Sequence, residues 1–249
     1  ISSKRKHPPL VLAFTVQEEI GLFGAQALDV RKLKVKRGLI FDNAFEAGVV
    51  VSKGAGYLAF DIEITGRGTH SGKDLKKGVN ALTVFLNAKV SLGELDKGQT
   101  RINIGTLNTG KMRNAVPGTL TLQGEIRSFL SEKKVQARFE SIKSSFEQAA
   151  SKIGAKIVTK TFQLPSYSVG KEEELVKRYE TVLNNRKATL ELKETFVGSD
   201  ANALRGAKGL DVFVISTGVK DEHTVNETVN MLELEQLKED LVNLIFLVC

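Results

Sequence analysis

"AGVVVSKGAGYLAFDIEITGRG" (47–68) is rich in strand formers, but it is loosened by glycine between Ser52 and Gly56. From Tyr57 onward apolar and polar residues alternate, the mark of a strand with one wet face. The texture of the chain changes here. Beyond this point "GVNALTVFLNAKVSLGEL" (78–95) reads as a helix, and "TRINIGTLNTG" and "GTLTLQGEIRS" as strands. "SEKKVQARFESIKSSFEQAASKIG" (131–154) is the clearest helix. Val135, Phe139, Ile142, Phe146 and Ile153 share one face, with Ser131 placed to cap the start and Gly154 to close the end. "AKIVTKTFQL" is a last strand. The order strand–helix–strand–strand–helix–strand predicts a split βαβ, ferredoxin-like α+β module over residues 56–164.

The flanks differ. "LVLAFTV" (10–16) and "RGLIFD" (37–42) are apolar runs without alternation, which predicts buried strands, and "GLFGAQALD" between them looks helical. After a joint at Pro165–Gly170 come a helix (171–185), a strand near 189–195 and a short helix around "DANALRG". A buried strand "LDVFVIS" (210–216) and a closing helix (231–247) follow. Helices alternating with apolar strands predict an α/β unit with an open sheet. The expected organisation is one α/β domain built from residues 1–55 and 165–249, with the module 56–164 inserted into it.

Composition limits the functions available. The chain has 249 residues, 41% hydrophobic and 26% charged, as in an ordinary globular protein. Its net charge of +7 comes from 36 basic residues interspersed with 29 acidic ones. Trp is absent and only 3 Tyr occur, so no stacking platform accompanies the lysines, and a nucleic-acid partner is not expected. The single cysteine, Cys249, excludes an intrachain disulfide framework or thiolate metal cage and fits a reducing, cytoplasmic setting. "LVNLIFLV" (241–248) is too short to span a bilayer, and no membrane partner is expected.

Chemistry gathers at strand ends. Glu18 and Glu19 leave the first apolar run side by side and point in different directions. One carboxylate is then able to bind a metal while its neighbour handles the proton of a water. Alone, such a pair is more often an exposed acidic strand end. Asp42 closes a second apolar strand, and His223 follows a third, in "DEHTVNE". In open α/β sheets sites form beyond the carboxyl ends of strands. Glu19, Asp42 and His223 offer two hard oxygens and an imidazole, suited to Zn²⁺, Mn²⁺ or Co²⁺. Spacing alone does not make them converge. His70 lies in "GRGTHSG", and His7 precedes Pro8-Pro9 on an expected surface. Asn114 and Arg127 bracket a module strand. They read either as a turn residue and a surface residue or as an amide donor and a carboxylate fork.

Together "TVQEEIGLFGA", "GLIFDNA", "GRGTHSGKDLKKGVNA", "GTLNTGKMRNAVPGTLTLQGEIRS", "GSDANAL" and "STGVKDEHTVNE" resemble, in order, the M20 family of co-catalytic metallopeptidases and its peptidase T-like aminotripeptidase branch. The resemblance implies Glu18 as general base and Glu19 and His223 as ligands of one metal, with Asp42 a ligand of the other. It implies His70 as a holder of the scissile carbonyl, and Asn114 and Arg127 as holders of the substrate backbone and carboxylate. It implies two divalent ions, Zn²⁺ first, and a short peptide substrate. It also implies a lid module that forms a homodimer, with strand 57–66 and helix 78–91 as contact elements. A carboxypeptidase or an N-acyl amino acid deacylase is the neighbouring expectation. A non-catalytic binding or dimerisation homologue is the expectation from another class. The family's His-x-Asp pair and bridging aspartate have no counterpart in these residues. The chain therefore reads as part of a longer enzyme, and three ligands split over two ions are expected to bind weakly.

Overall fold

The computed structural model describes residues 7–247, so Cys249 and the last residue of "LVNLIFLV" lie outside the described residues. In chain order the strands are β1 (Arg37–Phe41), β2 (Val50–Gly54), β3 (Gly56–Thr65), β4 (Thr69–His70), β5 (Gly93–Leu95), β6 (Thr100–Thr109) and β7 (Ala115–Val116). They continue with β8 (Thr119–Ser128), β9 (Lys156–Leu164), β10 (Tyr167–Ser168), β11 (Leu192–Thr195), β12 (Asp211–Ile215), β13 (Val219–Lys220) and β14 (Thr228–Val229). The helices are α1 (Phe23–Ala27), α2 (Val30–Leu33), α3 (Ala81–Asn87), α4 (Glu132–Ser151), α5 (Glu174–Asn185) and α6 (Met231–Leu247). No described helix is long and apolar enough to cross a membrane. Two compact units result: Ile1–Ala55 with Pro165–Cys249, and Gly56–Leu164.

The Gly56–Leu164 unit holds the sheet β5-β6-β8-β3-β9, antiparallel throughout. β3 alternates as its sequence predicts: Leu58, Phe60, Ile62 and Ile64 are buried while Asp61, Glu63 and Thr65 face water. The buried face of α4 (Val135, Phe139, Ile142, Phe146) closes over them. Each such apolar side chain contributes about 1.5–3 kcal/mol on leaving water. Gly154, at φ 74, ends α4 in the left-handed conformation, and Ala155 N–H reaches back to Ala150 O at 3.0 Å. Ser131 stands at the N-cap, but its side chain makes no capping hydrogen bond.

One expectation for this unit needs correction. The helix foreseen over 78–95 is only α3, which starts where Asn80 Oδ1 accepts from Leu82 N–H at 2.9 Å. It stops at Ala88, whose backbone is extended, and Gly93, at φ 88, opens β5. β3 has both ladder edges filled, by β8 and β9, so a contact through strand 57–66 would use its exposed face. The open edges belong to β5 and β9.

The other unit has a mixed sheet in the order β1-β12-β2-β10, with β11 also on β2. β1 and β12 are parallel, and β2 runs antiparallel to β12. β12 is buried as predicted, and Phe213, Val214 and Ile215 join Val50, Val51, Tyr179 and Leu237 in the core. β1 is a half-buried edge strand rather than a buried one. The main correction is at 10–16, which forms no strand. Leu12, Phe14 and Val16 are 81%, 91% and 67% exposed. An apolar run becomes a buried strand only when its amides and carbonyls find ladder partners. Among the described residues this segment has no strand beside it.

Candidate active site

In the α/β unit five ionisable side chains from four loops are brought together. Glu18 and Glu19 sit on a tight turn in which the Glu18 carbonyl accepts Gly21 N–H at 3.1 Å and Leu22 N–H at 2.9 Å. The turn is fixed by close contact: a Cβ on Gly24 would lie 2.5 Å from the backbone N and O of Val16, so only glycine fits there. Asp42 follows β1. Its neighbour Asn43 ties that strand end to the end of β12, the Asn43 carbonyl accepting Thr217 N–H at 3.2 Å. His223 lies in a turn with φ 64, and its N–H donates to Glu227 Oε2 at 3.1 Å. A non-glycine residue in that region costs of order 1–3 kcal/mol and marks a position held by its surroundings. His223 Nδ1 stands 3.7 Å from Glu19 Oε1, with both side chains exposed.

The fifth is Asp200, which the sequence reading passed over although it lies in "GSDANAL". The signal was available: like Asp42, it is a carboxylate shortly after a sheet strand, here β11, at the start of the short helical segment that runs on through Asn202–Ala207. It is 8% exposed. Thr15 Oγ1 donates to its Oδ2 at 2.5 Å, and its Oδ1 is buried with no hydrogen-bond partner. The loop is rigid by its bonding. Asn202 Oδ1 accepts Ser199 N–H at 3.1 Å, while Asn202 Nδ2 donates to the carbonyls of Ala55 and Pro165, each at 2.8 Å.

The acids perturb one another. Burial first, then the charges of Asp42, Glu19 and Asp200, push Glu18 up to about 7, against an opposing pull from His223. Burial, then Asp200 and Glu19, push Asp42 up to about 6. Such crowding is relieved by a cation, and the donor chemistry of Glu19, Asp42 and His223 fits a divalent ion. The cage is not closed: among the described residues no three His, Cys, Asp or Glu side chains stand close enough to hold one ion.

The remaining expected site residues lie in the Gly56–Leu164 unit. His70 pairs with Ala115 across β4 and β7, and Ser71 N–H donates to Asn114 O at 2.9 Å, so the structure brings His70 and Asn114 together. His70 Nδ1 accepts Gly72 N–H at 3.1 Å, which assigns the ring proton to Nε2. Arg127 is placed differently. Its fork grips Glu125, Nε to Oε1 at 3.0 Å and Nη2 to Oε2 at 3.2 Å, and its guanidinium lies 5.1 Å from the centre of the Tyr57 ring. β8 starts at Thr119, and eight residues at about 3.3 Å each separate that start from Arg127. Asn114 and Arg127 therefore do not share a pocket within this unit.

Known proteins resemble the chain throughout. Residues 54–156 match the M20 peptidase dimerisation domain. The uncharacterized protein YqjE of Bacillus subtilis (strain 168) is 28% identical over 243 residues, 96% of this chain and 65% of that protein. The crystal structure of aminopeptidase PepT from Bacillus cereus ATCC 10987 is similar with a TM-score of 0.84 and 29% identity, over 93% of this chain and 62% of that one. A tripeptidase from Staphylococcus aureus subsp. aureus Mu50 is similar with a TM-score of 0.86 and 26% identity, over 94% of this chain and 62% of that one. The chain thus spans less than two thirds of the length of these relatives. The dimerisation domain and the structural neighbours together support membership of the M20 peptidase family.

Proposed function

We propose that this chain carries much of the apparatus of a metal-dependent aminopeptidase acting on short peptides, tripeptides first. The observation that carries the reading is the meeting of Glu18, Glu19, Asp42 and His223, from three separate loops, in the α/β unit. Glu19 and His223 would hold one divalent ion and Asp42 a second, with Zn²⁺ preferred and Co²⁺ or Mn²⁺ acceptable to the same donors. When bound, such ions supply Lewis-acid polarisation of the scissile carbonyl and acidify a water.

Glu18 is the general base. A carboxyl held near pH 7 is divided between its two protonation states at neutral pH, which suits it to take a proton from the attacking water and return it to the leaving amine. His70 is assigned the donor role, since its Nε2–H is free of the Gly72 contact made by Nδ1. Asn114 and Arg127 are assigned to the substrate backbone and carboxylate. For Arg127 that role requires a substrate carboxylate to replace Glu125 in the guanidinium fork. The dimerisation-domain match in residues 54–156 supports a homodimer through that unit, and a cytoplasmic setting completes the reading.

The test is release of the N-terminal residue from tripeptides by the full-length gene product, loaded with Zn²⁺, Co²⁺ or Mn²⁺. Glu18→Gln is expected to lower kcat by about 10²- to 10⁴-fold, the usual contribution of a general base, with bound metal unchanged. Unchanged turnover in Glu18→Gln rejects the assignment. Full-length protein that takes up no metal and cleaves nothing identifies a binding module instead.

A further inference from the structure

Positive charge is unevenly distributed along this chain. Residues 66–79 and 109–117 carry Arg67, Lys73, Lys76, Lys77, Lys111 and Arg113 against a single acid, Asp74. Under a tenth of the chain thus holds five of its seven net positive charges. The fold sets the two segments side by side in the Gly56–Leu164 unit. β4 pairs with β7, Thr69 opposite Val116 and His70 opposite Ala115. Ser71 N–H donates to Asn114 O at 2.9 Å, and Gly66 N–H to Gly118 O at 2.8 Å. Arg67 and Val79 exchange backbone hydrogen bonds of 2.9 Å in both directions. Lys73 and Asp74 N–H both donate to His70 O, at 3.1 Å and 2.9 Å. The backbone is therefore pinned, while all six basic residues are exposed. Asp74 is taken up by Lys77 at 2.8 Å. Among the described residues no carboxylate pairs with Lys73, Lys76, Lys111 or Arg113. A surface of one sign without counter-charges of its own raises the local concentration of ligands of the other sign.

We propose that these two segments form a cationic ridge that selects short peptides with acidic side chains after the N-terminal residue. The inference rests on the aminopeptidase reading above, in which His70 and Asn114, both within the ridge, hold the peptide. A peptide cut at its first bond carries an ammonium at that end, which the ridge repels. The side chains beyond the bond are the ones that gain from meeting positive charge. The composition of the ridge favours a peptide over other anions. Neither segment contains Phe, Tyr or Trp, so nucleic-acid bases find no stacking surface. Of their large apolar side chains only Leu75 and Met112 stand exposed, too few for the apolar face that a lipid surface requires. His70 Nε2–H and the Asn114 amide are donors of the kind that a peptide carbonyl accepts. Exposed charges act over about 10 Å at 0.1 M salt, so the ridge works on capture rather than on the chemical step.

Two measurements decide the proposal. The first gives the metal-loaded full-length gene product Ala-Asp-Asp, Ala-Ala-Ala and Ala-Lys-Lys. At about 0.01 M salt kcat/KM is expected to fall in that order, by about 10-fold or more from first to last, and to converge at about 0.5 M salt. Lys73→Glu/Lys111→Glu takes the ridge from five net positive charges to one. It should erase most of the order and leave cleavage of Ala-Ala-Ala unchanged. Cleavage without that order, or an order that the variant keeps, overturns the ridge and leaves the aminopeptidase reading standing. The second measurement needs no catalysis. Amide NMR of the 249-residue chain in low salt is expected to show shifts over residues 71–77 and 111–114 with Ala-Asp-Asp and none with Ala-Lys-Lys. Those shifts, in a protein whose full-length form cleaves nothing, overturn the aminopeptidase reading and keep the ridge as a binder of acidic peptides. No shifts, or shifts elsewhere, overturn the ridge. So does tighter binding of phosphatidylserine vesicles or single-stranded DNA than of Ala-Asp-Asp, lost in the same variant, because the ridge then serves a different anion.

Discussion

Replacing Arg186 by Met is expected to destabilise the α/β unit by about 3 kcal/mol. Asp240 on α6 is 2% exposed. Arg186, just beyond α5, donates to it from Nε at 2.9 Å and 3.1 Å, one contact to each oxygen, and from Nη2 at 2.9 Å. Gln236 Nε2 adds a neutral donor at 3.2 Å. Removing the guanidinium leaves a buried carboxylate with that amide alone, and breaking a buried pair in this way costs about 3–5 kcal/mol. The Arg186 side chain is 39% exposed, so part of its charge is screened and the low end of the range applies. Helices α5 and α6 share one core with β2 and β12, so the loss reaches the sheet on which the acids are mounted. The assay is urea denaturation followed by signals that resolve the two units separately, because a single two-state fit does not describe two cooperative blocks. Arg186→Met/Asp240→Leu is expected to recover most of the loss, since a well-packed apolar pair often matches a buried ion pair. A loss below about 1 kcal/mol in the single variant would refute the reasoning. So would a double variant no more stable than the single one.

Gly124→Ala should destabilise the Gly56–Leu164 unit by about 1–3 kcal/mol, the usual cost of overpacking, because its Cβ would sit 2.3 Å from Phe60 Cζ and 2.7 Å from Asn103 O. A midpoint unchanged in urea would show that the β3–β8 contact is looser than described. With metal removed, Glu18 and Asp42 keep their protons longer folded than unfolded, about 7 and about 6 against ordinary values of 4.5 and 3.8. Their contribution is therefore fully present below about pH 4 and is lost as pH rises to about 7, since stability falls with pH wherever the folded state binds more protons. Melting curves of the chain and of Glu18→Gln/Asp42→Asn across that range check the sign: in chelator the two should be alike at low pH and the chain should fall below the variant as pH rises toward 7, and Zn²⁺ at pH 7 should stabilise the unsubstituted chain more. A chain that keeps pace with the variant up to pH 7 in chelator contradicts the crowding of the acids.

The parts of the fold that sequence revealed are those decided locally. Alternation over 57–66 sets the wet and dry faces of β3, and the spacing from Val135 to Phe146 sets the buried face of α4. The apolar run 210–216 became buried β12 because β1 and β2 flank it on both sides. The run 10–16 reads the same way and stayed out in water, because its fate rests on partners that its own composition does not contain. Helix 78–95 failed for a related reason. Its apolar positions suit a helix, but Ala88 turns extended and the chain after it is drawn into β5 against β6. At the site, residue type at a strand end was enough to mark Glu18, Glu19, Asp42 and His223. Asp200 also stands beyond a sheet strand, and what singles it out, burial and an oxygen without a donor, belongs to the fold.

Position and neutralisation are handled separately in this unit. Every device that places the acids is satisfied by the chain itself: the close fit of Gly24 on Val16, the Asn43 bond to the end of β12, and the Asn202 bonds that lock the loop of Asp200. The charges so placed are not satisfied. Glu18 and Asp42 are pushed upward by burial and by one another's company, and Asp200 keeps an oxygen buried without a donor. A fold selected only for its own stability would remove such groups, since an unpaired buried carboxylate costs more than any packing gain at its position. Their retention on a rigid frame is explained if the compensating charge and donor arrive from outside these residues. A divalent ion supplies the charge.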